Sequence, residues 1–297
     1  MNAPTQVDPS GSDARRSDRP GVERHDAEPP ARPADAVAAI DAAWDYGDPA
    51  ASEARFRAQL PAVAARAAAG GDDDIAWRSA EVQLRTQLAR SLGLQGRFDE
   101  AHAVLDGAAA WLDAADDTAR VRCDLERGRV VNSAGDPEAA RPSFAAAYDR
   151  ARAAGLDALA VDAAHMFAIV AAPDEVMAWH ERALALAEAS PDPAARRWRA
   201  SLLNNLGWTL HERGDDTAAL AAFEQALALR EAAGDPSSIH VARWCVGRIL
   251  RALGRVDEAL RIQQALAAES RATGRDDPHV TAEIAALTHP PTPPNPP

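Results

Sequence analysis

The residues of this 297-residue chain that could do covalent chemistry are few, and none stands in a spacing that such chemistry needs. All 32 basic residues are arginine, which excludes a phosphate-loop lysine, a Schiff-base lysine and a Ser-Lys dyad. His180-Glu181-Arg182 and His211-Glu212-Arg213 begin like a zinc-binding helix, but Leu184 and Asp215 stand where its second histidine belongs. The two cysteines and eight histidines are too few and too scattered for a zinc cluster. There is no G-x-S-x-G and no Walker loop, and Asp72-Asp73-Asp74 reads as a solvated charge run in a loop. No catalytic residue, metal ligand or cofactor is expected. What remains is the chemistry of recognition. Arginine offers a planar fork to a carboxylate or phosphate, asparagine can bond an extended peptide backbone, and tryptophan supplies rigid apolar area or a cation–π face.

Composition narrows the partner. A net charge of −13 argues against nonspecific binding to nucleic acid or anionic lipid. The all-arginine usage reflects a GC-rich bacterial genome. No apolar run approaches the roughly 18–20 residues that cross a bilayer, and no hydrophobic segment follows Arg15-Arg16. A cytoplasmic protein is expected, with Cys123 and Cys245 reduced and packed.

The elements that must carry these side chains announce themselves by repetition. A small residue, six others, a glycine and then Ala-x-x-x-Phe-x-x-Ala runs through Gly207, Gly214, Ala219, Phe223 and Ala226. It returns as Gly128, Gly135, Ala140, Phe144 and Ala147, and more loosely from Ala89 and from Gly247. The turn position falls at Gly96, Gly135, Ala171, Gly214 and Gly254, spaced by 39, 36, 43 and 40 residues. Such a period means stacked helical hairpins. Asp-Pro at 48–49, 136–137, 192–193, 235–236 and 277–278 marks helix starts, because aspartate caps free amides and proline at the first position loses nothing. Pro142 is the awkward residue, since it falls inside an expected helix.

These signals predict an N-terminal hairpin over 35–68 and five units near 75–113, 117–154, 157–189, 194–233 and 237–273. A short capping helix and a proline-rich tail follow over 274–297. Residues 1–34, poor in large apolar side chains, read as disordered.

At Leu203, Leu206, Gly207, Leu210, Gly214, Ala219, Phe223 and Ala226 the chain resembles the tetratricopeptide repeat. The unit at 157–189 departs most, with Ala164, Ala171, Val176 and His180 in the small, turn, small and aromatic slots. The resemblance covers roughly 75–273. It implies an all-α, right-handed superhelical solenoid of antiparallel helix pairs, without enzymatic activity in the repeats, that takes peptides along a concave groove lined by first helices.

Carried onto this chain, that groove presents Thr86 and Arg90, then Arg122, Arg129 and Asn132, then His165. It continues with Asn204, Trp208 and His211, and ends with Trp244, Arg248 and Arg251. The stripe holds no carboxylate in an acidic protein, which points to an acidic or carboxylate-bearing protein or peptide as partner. The leading expectation is therefore an adaptor; the alternative is a regulatory sensor for a small anion or nucleotide in the same groove. Plainer readings stand beside each residue. The tryptophans and His165 could be packing residues, and the arginines could pair with Asp124, Glu126 or Asp162.

Overall fold

The computed structural model describes residues 30–288 apart from 72 and 275. The expectations for residues 1–29 and 289–297 lie outside the described residues. Among those described there is no strand: the protein is all-α, built of helices joined by short turns. They fall into two compact units, residues 30–196 and 197–288.

The first unit holds α1 (Pro33–Ala42), α2 (Pro49–Ala69), α3 (Asp74–Leu94), α4 (Phe98–Ala109), α5 (Asp117–Ser133), α6 (Pro137–Ala153), α7 (Asp157–Val170), α8 (Val176–Ala189) and the one-turn α9 (Pro193–Arg196). The second holds α10 (Arg199–Glu212), α11 (Asp216–Ala233), α12 (Pro236–Ala252), α13 (Val256–Ala272) and α14 (Pro278–Thr288). Within each unit successive helices from α2 onward pack on one another, whereas α1 lies on α3 and not on α2, so residues 35–68 do not close as a hairpin of their own; first helices also touch, α3 on α5 and α5 on α7.

Local chemistry explains the boundaries. Asp48, Asp136 and Asp235 accept the amides of Ala51, Ala139 and Ser238 at 2.8–3.0 Å, with proline as the next residue. Asp192-Pro193 behaves differently: Asp192 caps only α9, and α10 starts afresh at Arg199. Pro142 stays inside α6, where the helix carries it without a break. Gly135 and Gly214 turn the chain at φ of 98° and 82°, a left-handed conformation that side chains disfavour.

Each hairpin closes through one pair of residues sixteen apart: Ala89 and Leu105, Gly128 and Phe144, Ala164 and His180, Gly207 and Phe223, Gly247 and Gln263. A Cβ on Gly128 would lie 2.5 Å from the Phe144 ring, and one on Gly207 2.8 Å from that of Phe223. The aromatic plug therefore fits only because its partner has no side chain. Two hairpins use polar plugs. His180 is buried, and Gln263 is wholly buried with its Nε2 donating to the Trp244 carbonyl at 3.4 Å.

Around these plugs, Phe56, Leu84, Leu88, Leu92 and Leu105 fill one core of the first unit, and Phe144, Phe167 and their alanine neighbours another. Phe223, Ile249 and Leu287 belong to the core of the second. Both cysteines are free and buried; burial pushes both thiols up, Cys245 to about 12.

Candidate recognition faces on the first helices

In the first unit two of the three arginines expected to meet a ligand, Arg90 and Arg129, meet carboxylates of the protein. Arg90 on α3 donates to Glu126 Oε1 on α5 at 3.3 Å. Arg129 donates to the same oxygen at 2.5 Å and to Asp162 Oδ1 on α7 at 2.5 Å. The result is a chain Arg90–Glu126–Arg129–Asp162 across three first helices, with Glu126 2% exposed. Burial opposes the Arg129 cation, yet Asp162 and Glu126 outweigh it and hold its pKa above the ordinary value. For Arg90 the balance reverses: burial, then repulsion from Arg129, draws the pKa down against the pull of Glu126. Isolated buried charges cost far more than paired ones, so this ladder is a structural tie between helices.

The expectation of a stripe free of carboxylate does not hold, because Glu126 and Asp162 sit one turn before Arg129 and His165. Thr86 is fully buried and bonds the Gln83 carbonyl at 2.7 Å, so it faces no ligand. His165 is buried beside Asp162 and Arg129, and burial lowers its pKa to about 4. Asn132 remains half-buried, and among the described residues its side chain makes no hydrogen bond. Arg122 is half-buried and makes no ion pair among the described residues. Two residues on this face were not anticipated. Tyr46 stacks on Trp44 at 4.7 Å and lies under Arg90, while Gln87 accepts from the Trp44 indole at 3.0 Å.

The second unit is arranged otherwise. Trp208 on α10 and Trp244 on α12 stand side by side with ring centroids 6.1 Å apart, both half-buried. Trp208 packs edge-on to Phe223 at 5.1 Å and to His211 at 5.9 Å, and Trp244 meets His279 of α14 at 6.0 Å. This row of rings joins α10, α12 and α14 along one face. Beside it, Arg251 donates to Glu283 of α14 through Nε at 2.7 Å and Nη2 at 3.2 Å, and Arg248 Nε reaches the same carboxylate at 3.1 Å. Burial, then the charge of Arg251, lowers the Arg248 pKa against the pull of Glu283. His211 pairs with Asp216 at the start of α11.

Asn204 is not a surface residue. It is buried, its amide meets Asn205 at 3.5 Å, and its oxygen accepts from Cys245 Sγ at 3.5 Å, a link from α10 to α12. Of the twelve residues the sequence places in the groove, the second unit therefore brings together Trp208, His211, Trp244, Arg248 and Arg251 on one partly exposed face. Glu283 and His279, which complete it, lie on α14, where the repeat phrase no longer supplies a register. Among the described residues no group of three or more His, Cys, Asp or Glu is placed to hold a metal ion, and no helix is long and apolar enough to cross a membrane.

Comparison with known proteins places this geometry. Residues 174–232 match the tetratricopeptide repeat family model. No curated protein matches the chain in sequence. Among solved structures, BtubC (BKLC) from P. vanneervenii superposes with a TM-score of 0.62 at 18% identity, over 76% of this chain and 92% of that one. A signal transduction ATPase with a tetratricopeptide repeat sensor, from Pyrococcus horikoshii, gives 0.65 at 12% identity over 86% of this chain and 38% of that one. Aspartyl phosphate phosphatase F from Bacillus subtilis gives 0.57 at 14% identity, over 85% and 68%. Such identities speak to fold alone. The repeat phrase, the plugged helix hairpins and these shared folds agree with the matched segment: residues 174–232 carry a tetratricopeptide repeat, and the fold is one shared with solved structures of such repeats.

Proposed function

We propose that the protein is a non-enzymatic scaffold or adaptor that captures a protein or peptide segment bearing carboxylates, on the face shared by α10, α12 and α14. The observation that carries this reading is the pair of half-buried indoles, Trp208 and Trp244, set beside Arg248 and Arg251. Tryptophan and arginine dominate the energetics of protein contacts because they combine large area with few rotatable bonds or a rigid donor fork. His211 and His279 extend the same face.

A sensor for a small free anion fits less well. The forks of Arg90 and Arg129 are already turned to Glu126 and Asp162, and those of Arg248 and Arg251 to Glu283. A small anion would have to replace a carboxylate without gaining apolar area, whereas a peptide also gains the indoles. The net charge of −13 makes nucleic acid a poor partner, and the two free buried thiols suit a reducing compartment, which we take to be the cytoplasm.

Panning a random peptide display library on the full chain tests the reading, with Trp208→Ala, Trp244→Ala as the counter-selected variant. Enriched peptides should carry Asp or Glu and should lose binding to the variant while its helicity is unchanged. Enrichment that ignores both tryptophans contradicts the proposal.

A further inference from the structure

One arginine of the first unit stands outside the tie that joins α3, α5 and α7. Arg122 is half-buried on α5, and among the described residues it makes neither an ion pair nor a side-chain hydrogen bond. The other arginines that the sequence places in the groove, Arg90, Arg129, Arg248 and Arg251, each hold a carboxylate of the protein. The Arg122 Nε–H is buried and meets no acceptor, so what the guanidinium shows to solvent is its outer end. A partner stands one turn further along the same helix. Glu126 keeps its Oε2 buried and without a donor, yet Arg122 does not take it. Residues four apart on a helix are neighbours, so the fork of Arg122 is turned elsewhere.

Register shows what adjoins it. Glu126 and Arg129 follow Gln87 and Arg90 by 39 residues, and the bond from Arg90 to Glu126 sets α3 beside α5 at that level. One turn earlier the same spacing sets Arg122 against Gln83, and the corresponding place on α7, 36 residues on, is taken by Ala158. Gln83 is 5% exposed, yet among the described residues its side-chain amide makes no hydrogen bond. In the next row Gln87, Glu126 and Asp162 are all bonded. An embedded cation and a buried amide in one row, both unmet, have lost hydration without a return from the fold.

We propose that Gln83 and Arg122 form a second binding site, which takes a carboxylate. The outer nitrogens of Arg122 hold its oxygens, and the Gln83 amide donates beside them. The site lies wholly within the first unit and does not rest on the face shared by α10, α12 and α14. A carboxylate suits it better than a phosphate, because Glu126 and Asp162, one turn away, act twice as strongly against a dianion. The carboxylate is that of an acidic protein segment or of a small free acid.

Arginine Nε–H resonances of the full chain, labelled with nitrogen-15, read the site directly, and Arg122→Gln assigns the signal. The probes are a blocked hexa-aspartate peptide and succinate, with blocked hexa-asparagine as the uncharged control. At least one acid should shift the Arg122 signal saturably, while hexa-asparagine leaves it unmoved. Tighter binding of the peptide makes a protein segment the source of the carboxylate; succinate binding as tightly or more so makes it a free acid. Arg122→Gln should weaken the better acid about tenfold, the usual loss for a charged hydrogen bond, and leave the melting temperature within about 2 °C of wild type. Gln83→Leu should also weaken it but raise the melting temperature, since it removes a buried amide that has no partner.

An Arg122 signal that neither acid moves overturns the proposal, and so does binding that survives Arg122→Gln. A loss of stability in either variant as large as that of Arg129→Met also overturns it, because the side chain is then tied inside the protein. Each of these results reads α3 and α5 alone and leaves the capture face of the second unit as it stands.

Discussion

At the scale of single residues the hairpins are decided by complementary size across sixteen positions. Gly128→Ala places a methyl 2.5 Å from the Phe144 ring, and overpacking of this kind costs about 1–3 kcal/mol. Adding Phe144→Leu should restore most of the loss, since the first hairpin already pairs Ala89 with Leu105; urea denaturation of the single and double variants checks this. If the single substitution costs nothing, the plug is not tight. The histidines of the degenerate unit carry a pH dependence. Burial lowers the pKa of His165 and of His180 to about 4, the latter also through His165, from an ordinary 6.5. The unfolded chain therefore binds the extra protons first, and stability present above pH 6.5 is lost as pH falls towards 4. Each histidine contributes up to about 1.4 kcal/mol per pH unit in that window. His180→Leu, the plug that Leu105 already provides opposite Ala89, should flatten the decline of melting temperature between pH 6.5 and 4.5; an unchanged slope contradicts the assignment. The plug positions were legible because glycine and phenylalanine are unmistakable at fixed spacing. The partners of the arginines were not. Arg90 and Arg129 find carboxylates 36 and 33 residues away on the first helix of the following hairpin, and a repeat phrase assigns a face without saying which long side chains meet on it.

Among the elements, the ladder Arg90–Glu126–Arg129–Asp162 ties α3, α5 and α7, and this separates a structural arginine from a ligand arginine. Arg129→Met takes its arginine from buried Asp162 and leaves Glu126 with Arg90 alone, and should cost about 3–5 kcal/mol. A melting temperature within a degree or two of wild type would return Arg129 to the binding residues. Helix starts were legible from Asp-Pro alone, since the cap and the proline act locally. Asp136→Ala removes the bond to the Ala139 amide and should destabilise α6 by about 1 kcal/mol, read by chemical denaturation. The break between α9 and α10 was not legible. Asp192-Pro193 carries the same local signal as the other starts, and nothing at that dipeptide tells that the helix ends after one turn.

For the whole molecule, an acidic chain of net charge −13, many of its arginines are held by its own carboxylates, Arg90 and Arg129 in the first unit and Arg248 and Arg251 in the second among them. The proposed recognition face is the one where two indoles adjoin an arginine pair whose ion pairs, among the described residues, all go to Glu283. The repeat fold was legible from the period of the phrase. Which face works required coordinates, because burial alone divides Asn204 and Thr86 from Trp208 and Trp244. Hydrogen exchange mapped over the full chain, with and without a tryptophan-dependent acidic peptide from the display experiment, is the most direct measurement. Slower exchange in α10, α12 and α14 is the predicted result; slowing confined to α3, α5 and α7, or no change in either unit, would contradict it.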